Sequence, residues 1–198
     1  MAVTRATVVA VFLAGFFGIC QSAYAECFGI DPRASAAVVA VAIPPSHKCT
    51  VRTSNGFPIP DPSCTPGAVD PTVTLDILKE KAFRTSCMRD KATSAHKKAA
   101  TYDWYGVDHP DHNTGSTQTC ELDHLISLEL GGSDTLDNIW PQCGPDGVAL
   151  NDRYFKQKDL VENLLAKLVR EGKMDLGTAQ RGIATDWTQF LQTAKNNQ

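Results

Sequence analysis

The chain has 198 residues, of which 42% are hydrophobic and 8% aromatic, and 19 basic side chains face 22 acidic ones for a net charge of −3. That length fits one domain, and the apolar content supports a modest core. Past the N-terminus no apolar run is long enough for a membrane span, and the acidic balance counts against a broad basic surface for nucleic acid.

The N-terminus reads as an export signal over residues 1–25. Arg5 supplies the positive start, Val8 to Ile19 is nearly all apolar, and Ala23-Tyr24-Ala25 is a small-residue cleavage site. An uncleaved anchor helix is the alternative. Lipidation at Cys20 is disfavoured because the bulky Ile19 stands where a small residue is wanted. Cleavage would start the chain at Glu26, in the periplasm or outside the cell, and remove Arg5, leaving 18 basic against 22 acidic residues, a charge of −4. Six cysteines would remain, Cys27, Cys49, Cys64, Cys87, Cys120 and Cys143. An even count in an exported chain argues for disulfides. Pairing of sequence neighbours gives Cys27–Cys49, Cys64–Cys87 and Cys120–Cys143, although spacing alone leaves other connectivities open. The absence of a C-x-x-C pair makes a zinc site a weak rival.

Residues 26–73 carry many prolines, among them Pro44, Pro45, Pro58, Pro60, Pro62, Pro66 and Pro71, which break helices. They read as an irregular arm pinned by disulfides, and residues 74–198 as the main domain. Thr74 can cap a short helix through Lys81, and Thr93 or Ser94 one that runs to Tyr105 and stops at Gly106. His96, Lys97 and Lys98 on that helix are expected on a solvated face. His109 and His112 fall in a polar loop rather than a metal site. Cys120 to Glu129 alternates like a strand, Gly131-Gly132-Ser133 marks a turn, and Leu136 to Trp140 forms a second element closed by Pro141. An amphipathic helix then starts near Asn151 and ends at Gly172, followed by a helix capped by Asp175 and another over Trp187 to Leu191. Trp140 and Trp187 are expected in the core.

The stretch from Glu121 through Asp123-His124, Gly131-Gly132 and Asn138 to Gln142 resembles the HNH endonucleases, the ββα-metal nucleases, and exported bacterial proteins with that motif. The likeness is tight over 121–142 and looser through the helix to 171. It implies an α+β fold with a small hairpin-plus-helix core at 120–171, further helices and a disulfide-tied arm. It also implies a metal-dependent endonuclease acting on DNA, with RNA as an alternative substrate. By the same likeness His124 would be general base and Asp123 a metal ligand, while Asn138 would hold the hairpin loop and orient the His. The ion would be Mg²⁺ or Mn²⁺, with Zn²⁺ as a further candidate.

These residue types suit the reaction. A neutral imidazole can take a proton from water near pH 7, and a carboxylate is a hard ligand for a divalent ion that stabilises charge on phosphate. The family's last ligand falls about nine residues after the Asn, which here is Gly147, with no ligand atom. Asn151 is the expected substitute, and Asp152, Asp159 and Glu162 remain open. Lys156 and Lys158 are the expected phosphate contacts on the long helix, where Arg153 and Lys167 can add to a basic side and some of these charges can instead pair with Asp152, Asp159 or Glu162. A bond between Cys120 and Cys143 would clamp the ends of the hairpin. Two rival readings stay in view: an inactive disulfide-rich binding module of the same fold, motivated by net acidity and the displaced ligand, and a toxin nuclease needing an immunity protein.

Overall fold

The computed structural model describes residues 48–89 and 95–198, with the backbone alone for residues 95–97. The export signal expected at 1–25, with Cys20 and Cys27, and the cap expected at Thr93 or Ser94 lie outside those residues. The described chain is α+β, with two small antiparallel hairpins and five α-helices among the described residues. None of these helices is long and apolar enough to cross a membrane.

The arm is more regular than its prolines suggest. Strands β1 (Arg52–Ser54) and β2 (Phe57–Ile59) pair across Asn55-Gly56. Both turn residues have positive φ, 50° and 83°, the backbone that a two-residue hairpin turn demands and that Asn-Gly supplies. Trp187 Nε1 donates to the Pro58 carbonyl at 3.1 Å and so ties the hairpin to the C-terminal helices. The disulfides differ in part from the neighbour pairing. Cys49 bonds Cys64, closing the base of this hairpin, in place of Cys27–Cys49 and Cys64–Cys87. Cys87 is also disulfide-bonded, and its partner is not among the described residues. Cys120 bonds Cys143 as the hairpin-clamp argument requires. Disulfides of this number suit a compartment other than the reducing cytoplasm.

Helix α1 (Leu75–Lys79) is capped by Thr74, whose Oγ1 accepts from the Ile77 amide, and α2 (Ala95–Tyr105) stops at Gly106 with φ 61°. The central hairpin joins β3 (Cys120–His124) to β4 (Ile139–Cys143) in a register that sets Asp123 opposite Trp140 and His124 opposite Ile139. Two boundaries depart from expectation. β3 stops at His124 because the next amides leave the ladder: Leu125 donates to the Asn138 carbonyl and Ile126 to the Asn138 side chain. β4 runs through Pro141 instead of ending there. In a two-stranded sheet each strand has an open edge, where a missing N–H leaves no ladder bond broken.

Helix α3 (Tyr154–Arg170) crosses the hairpin, and a short 3₁₀ turn at Leu150–Asp152 precedes it. Its buried stripe runs Phe155, Lys158, Val161, Leu165 and Val169, the three- and four-residue steps of a core-facing helix. Helices α4 (Leu176–Asp186), capped by Asp175, and α5 (Leu191–Lys195) pack against that stripe with Ile183, Trp187 and Leu191. A second cluster gathers Leu78, Phe83, Met88 and Leu128, and a third joins Trp104, Tyr105, Leu125 and Trp140 around the Cys49–Cys64 bond. Trp140 and Trp187 are both fully buried.

The paired glycines have separate jobs. Gly131 sits at φ 74°, in the left-handed region that glycine enters without penalty. At Gly132 a Cβ would lie 1.8 Å from the Ile126 carbonyl oxygen, so the two sides of the loop meet only because no side chain intervenes. The arm seals the outside of this loop through Asp70 N to the Gly131 carbonyl and Ser133 N to the Ala68 carbonyl, both at 2.9 Å. Gly132→Ala must therefore push backbone apart. Overpacking of this kind costs about 1–3 kcal/mol, and a lowered thermal midpoint in a melting experiment is the expected outcome; Gly56→Ala meets no neighbouring atom but must hold φ 83°, so its strain stays in the outer turn.

Candidate active-site cleft

The end of β3, the loop after it and α3 enclose a cleft of about 150 Å³. Glu121, Asp123, His124 and Glu162 line it together with Thr85, Arg89, Ser127, Leu128 and Glu129. Successive strand residues point to opposite faces, yet Asp123 and His124 both border this space, because β3 ends at His124 and α3 lies across the strand.

The imidazole is held by a buried carboxylate. His124 Nε2 lies 2.6 Å from Asp134 Oδ1, and Lys98 Nζ lies 2.5 Å from the same oxygen. Burial would raise the Asp134 carboxyl, but the hydrogen bonds from His124 and Lys98 outweigh it and hold the group below the usual carboxylate range. An ionised carboxylate only accepts, so the proton belongs on Nε2 and Nδ1 is left as the basic nitrogen. Burial lowers the His124 imidazole below its ordinary value, with the Asp134 hydrogen bond pulling the other way. The ring is therefore neutral at pH 7. Lys98, expected on a solvated face, is instead the cation that fixes Asp134; the side chains of His96 and Lys97 lie outside the described residues.

Asn138 is completely buried and spends its amide on the loop. Its Oδ1 accepts from the Ile126 amide at 2.9 Å, and its Nδ2 donates to the Ile126 and Ser133 carbonyls at 2.9 and 2.8 Å. These bonds stitch residues 126 and 133 together directly behind His124, so Asn138 holds the loop and does not touch the cleft.

Lys158 is the unexpected member. It is fully buried, and its three ammonium protons have three acceptors: the His124 carbonyl at 2.7 Å, Asp123 Oδ2 at 2.8 Å and Glu162 Oε1 at 2.5 Å. Asp123 Oδ2 also accepts from Trp140 Nε1 at 3.2 Å. Burial alone would lower the Lys158 ammonium, but Asp123 and then Glu162 outweigh it and raise it, so it stays charged. Two carboxylates share that one cation, and burial with the Asp123 charge raises Glu162 despite Lys158. Glu121 is pushed up to about 7 by burial and then by Asp123 and Asp159. The cleft is thus less negative below pH 7 than its four carboxyl groups suggest.

The remaining expected residues fall elsewhere. Asn151 is exposed in the 3₁₀ turn before α3 and does not border the cleft; its carbonyl accepts from Gln157 Nε2. The helix starts three residues later, at Tyr154, so Asn151 is not in its first turn. Asp152 is exposed, and Asp159 is paired with Lys156 at 2.7 Å. Of the open alternatives, Glu162 reaches the cleft. Lys156 spends its charge on Asp159 and the Phe155 ring, and Lys158 cannot meet a phosphate directly because all its protons are taken. His109 packs its exposed ring on Tyr102. Sequence reading missed Asp134 and Glu121 as members of this site. An acidic residue two positions after the Gly-Gly pair, ten from the candidate base, is the only signal for Asp134; Glu121 carries none beyond its nearness to Asp123.

A divalent ion does not fit the donors as they stand. Among the described residues no group of three His, Cys, Asp or Glu side chains could hold one. The two carboxylates nearest each other already enclose an ammonium, and another cation at 4 Å from it would be repelled by about 4 kcal/mol per unit charge at an effective dielectric of 20. Comparison of the chain with protein-family models, curated proteins and solved structures finds no match, so the chemistry is argued from these contacts.

Two titrations check the electrostatics. A depressed His124 contributes stability that is complete above its unfolded pKa of about 6.5 and is lost as pH falls through the folded value. Asp134→Asn removes the acceptor that favours the imidazolium, so NMR should show His124 titrating at still lower pH in that variant; an unchanged or raised value contradicts the assignment. Glu121 has the opposite sign. Its stabilising proton is held below 4.5, the ordinary value, and its contribution is lost as pH rises through about 7. Glu121→Gln should accordingly raise the melting temperature more at pH 8 than at pH 5.

Proposed function

We propose that the chain is an exported phosphodiester hydrolase of the HNH type, acting on nucleic acid, with DNA as the first substrate to test and RNA the second. The observation that carries this reading is the buried dyad His124–Asp134 opening on a cleft: a neutral imidazole, its Nε2–H fixed by an ionised carboxylate, offers Nδ1 to a water molecule. A base oriented by a third group in this way is the recurring arrangement of proton-abstracting sites. The placement of Asp123 and His124 at a strand end, Asn138 behind the loop and a helix across the hairpin supports the HNH likeness read from the sequence.

Two features favour an anionic substrate. Arg89 is the basic residue on the cleft wall, and Ser127 Oγ is buried there without a hydrogen-bond partner among the described residues. A buried hydroxyl left unpaired costs about 1–3 kcal/mol, and a phosphate oxygen would satisfy it. With Glu121 protonated below about pH 7, the cleft tolerates a phosphate better there than at higher pH. In this account Arg89 and Ser127 bind the phosphate, His124 takes the proton of the attacking water as its oxygen bonds to phosphorus, Asp134 stabilises the imidazolium that forms, and the P–O bond to the departing sugar oxygen breaks, that oxygen taking its proton from solvent water. No step is assigned to Mg²⁺, Mn²⁺ or Zn²⁺, since the donors do not suit one.

The second reading is a binding module of the same fold, favoured by the saturation of Lys158 and the acidic wall. Assays on supercoiled plasmid, single-stranded DNA and RNA separate the two. His124→Ala should lower hydrolysis by roughly 10²- to 10⁴-fold, the usual worth of a general base, with its circular dichroism spectrum unchanged from wild type. Equal product from His124→Ala and wild type, or none from either on every substrate, sinks the hydrolase and leaves the module.

A further inference from the structure

The cleft already holds a cation of its own. We propose that the Lys158 ammonium takes the place that a divalent ion holds in the family the sequence resembles, so that the carboxylates of Asp123 and Glu162 are neutralised by the chain and the cleft works without a bound metal. The hydrolase reading above underlies the catalytic half of this inference; the ion-binding half stands on contacts alone.

Three contacts carry it. The ammonium has three protons, and Asp123, Glu162 and the His124 carbonyl accept all three within 2.8 Å. The side chain has no exposed surface, so no solvent cation exchanges with it and no fourth acceptor approaches it. Asp123 Oδ2 is further occupied by the Trp140 indole N–H. A divalent ion prefers several oxygen donors in near-ideal geometry, usually completed by waters. Here one oxygen of each carboxylate is already taken by the ammonium, so an ion on the remaining oxygens would sit beside a buried positive charge that repels it. Lys158 therefore acts as a positioning residue. It fixes the His124 backbone and keeps Asp123 from repelling a phosphate, while contact with the phosphate itself falls to Arg89 and Ser127.

The probe is Mn²⁺ alone, added in equimolar amount to the full disulfide-bonded chain, with the free-ion EPR signal as readout. Wild type should leave that signal unchanged. Lys158→Met, folded by circular dichroism, should lower it, because Asp123 and Glu162 then lack their cation and can take the ion instead. Two results overturn the inference: a wild-type chain that lowers the signal with Asp123→Asn restoring it, or a folded Lys158→Met chain that leaves all Mn²⁺ free. If Lys158→Met does not fold, wild type and Asp123→Asn decide the matter. In the hydrolysis assay, wild-type turnover should survive EDTA, and its loss in EDTA with recovery on Mn²⁺ counts against the inference. An absence of turnover under every condition removes the hydrolase reading but leaves the EPR outcome standing.

Discussion

An ammonium out of contact with water is tolerated only where each of its protons is accepted, since the effective penalty for burying such an ion is several kcal/mol. Lys158 meets that demand with oxygens from two parts of the fold, a strand end and its own helix. Much of the local geometry follows. The helix must cross the hairpin where β3 ends, because the His124 carbonyl is one acceptor. Asp123 must turn toward the helix, because it is the second. Glu162, one turn further along the helix, must fold back as the third. Loss of the cation would leave two partly buried carboxylates facing each other without a counter-charge, a change of the kind that costs up to about 3–5 kcal/mol.

The loop between the strands is held to the same tolerance by different means. Asn138 closes it from inside with three hydrogen bonds, Gly132 lets its two sides touch, and the arm closes it from outside. The Cys120–Cys143 bond clamps the open end of the hairpin. His124 and Asp134 sit at the ends of this rigid piece, so the distance between base and orienting carboxylate is set by backbone and not by flexible side chains. The arm thus acts as a buttress for the cleft, although it contributes no residue to its wall.

Legibility from sequence followed the range of the interactions. Local signals translated well: Thr74 and Asp175 as caps, Gly106 as a stop, the glycine pair as a turn, and the apolar steps of α3. The Asn55-Gly56 turn was equally legible and was overlooked under the weight of the prolines. Contacts between distant segments were not legible. Cys49 bonds Cys64 because the hairpin brings them together, which spacing does not reveal. Counting from Asn138 lands on Gly147, and Asn151 looked a suitable substitute at the helix start, but the intervening loop delays the helix, and Glu162 reaches the cleft from two turns further on. Lys158 carried a signal that was misread. It stands three residues from both Phe155 and Val161, on the buried stripe, where a lysine must find partners; its charge suggested a surface role instead.

The chemistry drawn here depends on Lys158 being buried and saturated in solution. Amine labelling of the native chain, read residue by residue in a mass spectrometer, measures that directly. Lys173, whose side chain is 65% exposed, serves as the internal standard. The account predicts that Lys158 stays unlabelled while Lys173 reacts fully, and that Lys158 becomes reactive only on unfolding. Labelling of Lys158 at a rate comparable to Lys173 in the folded chain would contradict it.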